Sequence, residues 1–268
     1  MKEYLIAIIL GIVEGITEFL PISSTGHLII VNEFAGFPDK FGKFFDVVIQ
    51  SGAILSVIVY FWNRLFPFGH TKTVSEKKEI LGLWKKTIVG VVPALILGWK
   101  LGNFIKEKLF NPPTVAISLI IGGIVLIIIE NKRYKNMIQS TNDLRYETVV
   151  CIGLIQCLSM IPGTSRSAAT IIGAMLLGAS RLVAAEFSFF LAIPTIFAAS
   201  CYSLLKQGFS LTFLEIKILF TGFIVSFFVA LLVIKLFMRY ISNNDFKMFG
   251  YYRITLGLLI LIYLGFIK

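Results

Sequence analysis

The chain has 268 residues, 57% of them hydrophobic and only 15% charged, with a mean hydropathy of +0.86. No soluble domain of this size needs so much apolar surface, whereas a polytopic membrane protein does. The formal net charge of +10 does not point to nucleic acid, because the basic residues sit in loops between apolar runs, as in membrane proteins with Lys- and Arg-rich cytoplasmic loops.

An apolar run over residues 4–20 is about long enough to span a bilayer if straight, and no small-residue cleavage site ends it. Glu14 and Glu18 interrupt it at i and i+4, on one face of the predicted helix. Pro21 stops that helix, and Ser23, Ser24 and Thr25 are good caps for a second. Asn32, Glu33, Gly36, Pro38 and Asp39 soon end the second helix. Two short helices meeting at a polar turn predict a re-entrant hairpin, because non-helical backbone at membrane depth survives only inside protein or along a cavity.

A first span is predicted over residues 45–62, with Asp46 and Gln50 near its start. The basic loop after it carries Arg64, Lys72, Lys77, Lys78, Lys85 and Lys86, and His70 there reads as an ordinary polar residue. A second span, 87–101, contains Pro93 and ends at Lys100; a third, 114–129, follows Pro112 and Pro113 and leaves into Lys132, Arg133 and Lys135. Residues 148–177 echo the hairpin, and spans follow over 184–205, 216–237 and 249–266. Cys151, Cys157 and Cys201 lack metal-ligand spacing and read as small packing residues.

The chain therefore reads as one membrane domain made of two like halves, about 1–131 and 147–268, each a hairpin plus three spans. Gly11 pairs with Gly153 and Phe45 with Phe187 at a separation of 142, while Pro21 pairs with Pro162 at 141, as if one residue were inserted. An odd number of crossings per half makes the repeats inverted. The predicted fold class is an all-α polytopic membrane protein, with six transmembrane helices plus two re-entrant helix hairpins in an inverted repeat. Loop charge puts the loop after the first span inside and both termini outside. The fit is imperfect, because the loop with Lys100, Lys106 and Lys108 then lies outside.

Ionisable groups in lipid-grade sequence are expensive, so their default reading is functional. Two carboxylates on one helix face repel, and a proton or a divalent cation would balance them. One of the hydroxyls at 23–25 is explained as a helix cap. Three of them, followed by Gly26 and His27, are not, and Ser24 and His27 at i and i+3 can form an activated-nucleophile pair. In the second hairpin, Gly163, Thr164, Ser165, Arg166, Ser167 and Thr170 place hydroxyls and a guanidinium at a helix N-terminus, where free N–H groups and the helix dipole favour phosphate. Snorkelling of Arg166 to the surface fits poorly with a proline-broken apolar segment. Together the hairpins describe an intramembrane site for a phosphorylated, lipid-borne ligand.

Residues 14–27, E-G-I-T-E-F-L-P-I-S-S-T-G-H, and 162–170, P-G-T-S-R-S-A-A-T, resemble the two signatures of the undecaprenyl-diphosphate phosphatase family, the bacterial bacitracin-resistance proteins. Residues 45–52 and 184–194 are similar to that family as well, and the likeness covers essentially the whole chain. The resemblance implies a multi-pass enzyme of the bacterial plasma (inner) membrane, its site opening to the outer side. Such an enzyme removes the terminal phosphate of undecaprenyl diphosphate with a divalent cation, Mg2+ or Ca2+. The implied partners are the polyprenyl diphosphate substrate and membrane lipids, not nucleic acid; a homodimer is left open.

Carried over residue by residue, the acidic pair falls on Glu14 and Glu18, the serines on Ser23 and Ser24, the histidine on His27 and the arginine on Arg166. The expected mechanism gives the diphosphate to Arg166 and the amides from Gly163 to Ser167, with Ser23, Thr25 and Thr170 alongside. Ser24 attacks, His27 is general base, and Glu18 with Glu14 orients His27 or holds the metal. A directly activated water is the mechanistic rival. A lipid-phosphate flippase or organic-anion transporter is the alternative function, since broken helices in inverted repeats also suit transport.

Overall fold

In a computed structural model, which describes residues 1–68, 72–132, 137–207 and 211–267, the chain is helical almost throughout. The helices are α1 (Lys2–Thr17), α2 (Ser24–Ala35), α3 (Asp39–Tyr60), α4 (Trp62–Leu65), α5 (Val74–Leu109), α6 (Pro112–Asn131), α7 (Tyr146–Gln156), α8 (Arg166–Leu176), α9 (Arg181–Gln207), α10 (Phe213–Ile241) and α11 (Lys247–Ile267). Among the described residues six helices are long and apolar enough to cross a membrane: α3, α5, α6, α9, α10 and α11. The only strand-like feature described is an isolated bridge between Ile138 and Ala179. The fold is that of an all-α polytopic membrane protein, as the composition predicts. His70, Arg133 and Lys135 lie outside the described residues.

Local chemistry sets most boundaries. Thr73 and Glu76 form a reciprocal capping box that starts α5, and Thr212 and Glu215 do the same for α10. The first box corrects the expected second span. Helix α5 begins at Val74, so Lys77, Lys78, Lys85 and Lys86 belong to a 36-residue helix and not to a loop. That helix is about 54 Å long at 1.5 Å per residue, enough to carry these lysines beyond a hydrocarbon core. Asn111 caps α6, accepting from the Thr114 amide, with Pro112 and Pro113 in its first turn.

The two short-helix pairs are built alike. Ser23 caps α2 and Ser165 caps α8, each accepting from the amide three residues on (Gly26 and Ala168, both 3.2 Å). Each cap has positive φ, 74° at Ser23 and 71° at Ser165, a conformation that costs a non-glycine residue on the order of 1–3 kcal/mol. The caps lie 142 residues apart (165 − 23 = 142), the separation of Gly11 and Gly153. No inserted residue is therefore needed; Pro21 and Pro162 simply occupy different places in their turns.

Helices of the earlier part of the chain pack on helices of the later part. Helix α1 packs on α10 and α7 packs on α5, while α3 meets α9 and α6 meets α11. The first two crossings use small residues. A Cβ added at Gly11 would lie 2.8 Å from the Gly222 carbonyl, and one at Gly153 would lie 2.2 Å from that of Gly90, so the backbones touch, as expected where packing rather than hydrophobicity joins helices. Large apolar side chains such as Phe197, Phe220, Phe228 and Phe266 point outward, which suits lipid. Cys151 also faces outward and does not pack internally as expected.

Candidate active site

The C-terminal end of α1 and the N-termini of α2 and α8 converge on one cavity of about 170 Å³, bordered by Glu18, Ser23, Ser24, Thr25, Gly163, Ser165 and Arg166. Helix α3 contributes Gln50, the turn before α8 contributes Ser159 and Pro162, and α9 contributes Thr195, Ile196 and Ala199. Phe19 turns into the core, edge-on to Phe189 at 5.2 Å, and so anchors the turn that carries Glu18.

Glu18 is the hub. Its Oε2 accepts from the Ser24 hydroxyl at 2.6 Å and from Gln50 Nε2 at 3.4 Å. Its Oε1 accepts from Arg166 Nη2 at 3.3 Å. Arg166 Nη1 donates to the Ser188 carbonyl at 2.9 Å, while its buried Nε has no partner. The guanidinium is thus aimed by one carbonyl and one carboxylate, with donor capacity to spare for an anion.

A helix start leaves its first amides unpaired. The Ser23 side chain and carbonyl satisfy Gly26 and His27, and those of Ser165 satisfy Ala168 and Ala169. This leaves the amides of Ser24 and Thr25, and of Arg166 and Ser167, without a described partner at the positive ends of two helix dipoles. Two such N-termini beside a guanidinium form an anion site.

Not every expected residue reaches the cavity. Glu14 lies one turn behind Glu18, 1% exposed, with Oε1 unpartnered and within electrostatic range of Glu18, Asp46 and Arg166. Thr164 spends its carbonyl on Arg253 at 2.9 Å and its amide on the Ile161 carbonyl. Ser167 Oγ donates to the Leu20 carbonyl at 2.9 Å, tying the second hairpin to the first. Thr170 Oγ1 sits 2.6 Å from Ser188 Oγ, bracing the α8–α9 contact.

His27 departs furthest from expectation. Its Nδ1 lies 2.7 Å from the Ser23 carbonyl and its Nε2 lies 2.7 Å from the Tyr252 hydroxyl, with the two rings nearly parallel at 7°. A carbonyl only accepts, so Nδ1 carries the proton, and in the neutral ring Nε2 accepts from Tyr252. Both nitrogens are committed and neither meets Ser24. The hydroxyl is served by Glu18 instead.

Sequence reasoning missed the partners that complete this site: Gln50, Ser159, Ser188 and Thr195, Tyr252 beside His27, and Arg253 beneath both turns. Arg253 carried a signal as an ionisable residue inside the predicted last span, and Gln50 and Ser188 lie in the stretches 45–52 and 184–194 that share the family likeness.

Residues present here fit a Mg2+-type ion only in part. Among the described residues no three His, Cys, Asp or Glu side chains cluster to cage a metal, and both Glu18 oxygens already have donors. Among the described residues Glu14 Oε1 and, within its electrostatic range, Asp46 Oδ1 are buried carboxylate oxygens without a partner, and such ions commonly take one or two carboxylates plus phosphate oxygens.

This fold and site define a multi-pass membrane protein with a cavity among its helices whose lining suits an anion. The family model described as "Bacitracin resistance protein BacA" matches residues 7–259, and the chain belongs to that family. It is 51% identical over 265 residues to "Undecaprenyl-diphosphatase 1" of Clostridioides difficile, covering 98% of this chain and 97% of that one. It is 50% identical to the "Undecaprenyl-diphosphatase" of Acetivibrio thermocellus, covering 98% of each. For the protein of the same name from Enterococcus faecalis the identity is 49%, over 97% of this chain and 96% of that one.

Proposed function

We propose that this chain is an integral membrane phosphatase that hydrolyses undecaprenyl diphosphate to undecaprenyl phosphate and phosphate, recycling the lipid carrier for cell-wall synthesis and giving bacitracin resistance. The observation that carries the reading is the Ser24 hydroxyl held 2.6 Å from a carboxylate that is itself paired with Arg166, in a chain about half identical, end to end, to undecaprenyl-diphosphatases. A carrier needs no such nucleophile, which favours hydrolysis over transport.

In the mechanism we infer, the diphosphate lies across the N-termini of α2 and α8, and Arg166 faces the charge that grows as the P–O bond breaks. Ser24 Oγ bonds to the terminal phosphorus as its proton passes to Glu18, and the bond to the bridging oxygen breaks, releasing the lipid monophosphate. Water then displaces Ser24 from phosphorus, and Glu18 returns the proton to the serine oxygen. His27 is not the base; it fastens α2 to α11 through Tyr252. Glu18, with Glu14 one turn behind it, would hold a divalent cation, which would neutralise charge on the diphosphate.

Two further parts of the reading concern the membrane. The like caps, the like capping boxes and the exchanged pairs α1–α10 and α7–α5 support two inverted halves, each with a re-entrant hairpin. The cavity borders the second half of α9, at Thr195 to Ala199, whereas Arg181 starts that helix and the lysine-rich start of α5 carries the basic charge. With basic ends inside, the site faces outward across the plasma membrane. The deciding experiment gives purified protein undecaprenyl diphosphate in detergent and measures phosphate released, with and without EDTA. Release that EDTA suppresses supports both enzyme and cation. No release from folded protein overturns the reading in favour of a lipid-phosphate carrier.

A further inference from the structure

Arg253, in the second turn of α11, is the largest of the described side chains with no solvent exposure. Burying a guanidinium costs several kcal/mol unless it is fully bonded, and among the described residues no carboxylate forms a salt bridge with it. Backbone carbonyls satisfy it instead. Nη1 donates to Pro21 at 3.1 Å, and Nη2 faces Gly163 at 3.1 Å, Thr164 at 2.9 Å and Ser118 at 3.2 Å; Nε points at Leu119 at 3.4 Å. The slot is made to measure, because a Cβ added at Gly122 would lie 2.2 Å from Nη2.

The identity of these carbonyls matters more than their number. Pro21 lies two residues before the cap of α2, and Gly163 and Thr164 lie directly before the cap of α8. One rigid, planar cation therefore fastens the backbone just upstream of both helix starts and joins both to α6. We infer that Arg253 is the positioning residue of this site: it sets the separation and mutual aim of the two helix N-termini, so that a diphosphate is gripped at both ends at once. It touches neither substrate nor reacting atoms and acts through the two turns. The inference rests on the phosphatase reading for its reaction, but the gripping of a two-phosphate ligand can be measured without turnover. Lysine keeps the charge but offers a single ammonium on a flexible stem in place of the planar fork, so it cannot hold both turns in one geometry.

The test compares Arg253→Lys and, as a milder second variant, Gly122→Ala, which crowds the guanidinium while leaving it charged. Four quantities are read on folded protein in detergent: kcat and KM for undecaprenyl diphosphate, inhibition by inorganic diphosphate and by orthophosphate, and the melting temperature with each anion. Misplacement on the scale of 1 Å costs about 100-fold in rate. Arg253→Lys is expected to lose about that much kcat, KM should rise as the two-ended grip on the diphosphate loosens, and the preference for diphosphate over orthophosphate should collapse. Gly122→Ala should show the same pattern at smaller size. A purely structural arginine would lower the melting temperature and weaken both anions alike, leaving kcat per folded molecule intact; that result overturns the inference. If the unaltered protein releases no phosphate, the phosphatase reading fails, and the shift of melting temperature by the two anions still decides the role of Arg253.

Discussion

Glu18→Gln separates the carboxylate from the imidazole as the base that activates Ser24. Glu18 receives three donors, from Ser24, Gln50 and Arg166, on two acceptor oxygens. Glutamine keeps one acceptor oxygen and replaces the other with an NH2 group. Arg166 is the charged donor and claims the remaining oxygen, so the NH2 faces Ser24, whose hydroxyl must turn to accept and whose proton has no base. A lost general base costs on the order of 10²–10⁴ in rate, roughly 2.7–5.4 kcal/mol of barrier at 1.36 kcal/mol per decade. The assay is phosphate release at saturating substrate, with thermal melting in detergent to confirm that the variant is folded. A kcat within about threefold of the parent would refute the assignment of Glu18 as base.

His27→Phe and Tyr252→Phe should each cost less than about tenfold in kcat, an expectation set by a neutral hydrogen bond worth about 0.5–1.5 kcal/mol. The double variant should cost little more than either single one, as a double-mutant cycle on phosphate release will reveal; a His27→Phe loss as large as that of Glu18→Gln would return His27 to the chemistry. Gly163→Ala should impair both folding and turnover, because φ is +88° there and the new Cβ would lie 2.5 Å from the Val115 carbonyl, a strain of about 1–2 kcal/mol for the backbone alone; melting temperature and kcat report it. Glu130→Ala should destabilise without touching kcat. Its carboxylate binds Arg181 at 2.5–3.0 Å and the Phe246 amide at 2.9 Å, far along the chain from the cavity. Arg181, 40% exposed, can rehydrate, so the cost is that of an unsatisfied buried amide, about 1–3 kcal/mol, read as a lower melting temperature at unchanged turnover.

Local signals in the sequence determined a great deal. Apolar length fixed six spans, and proline followed by hydroxyl residues fixed two broken segments, because backbone hydrogen bonding in lipid permits few other outcomes. The types of group at the site were legible too: Glu18 and Arg166 are too costly in lipid to be incidental, and the hydroxyls around Ser24 outnumber what a helix cap needs. The beginning of α5 was missed because its capping box lies in a polar stretch that hydropathy alone reads as loop.

Only the tertiary structure decided partnership. Spacing puts Ser24 and His27 on one turn, but the imidazole turns to Tyr252, 225 residues away, and the hydroxyl turns to Glu18 across a chain reversal. Arg253 reaches Pro21 and Gly163 from a helix that sequence alone could not place beneath them. Hydropathy records how far a segment can sit in lipid and not which neighbour it meets. Hydrogen bonds between distant residues depend on helix crossings that close only when glycine-sized contacts such as Gly11 on Gly222 and Gly153 on Gly90 let the backbones meet.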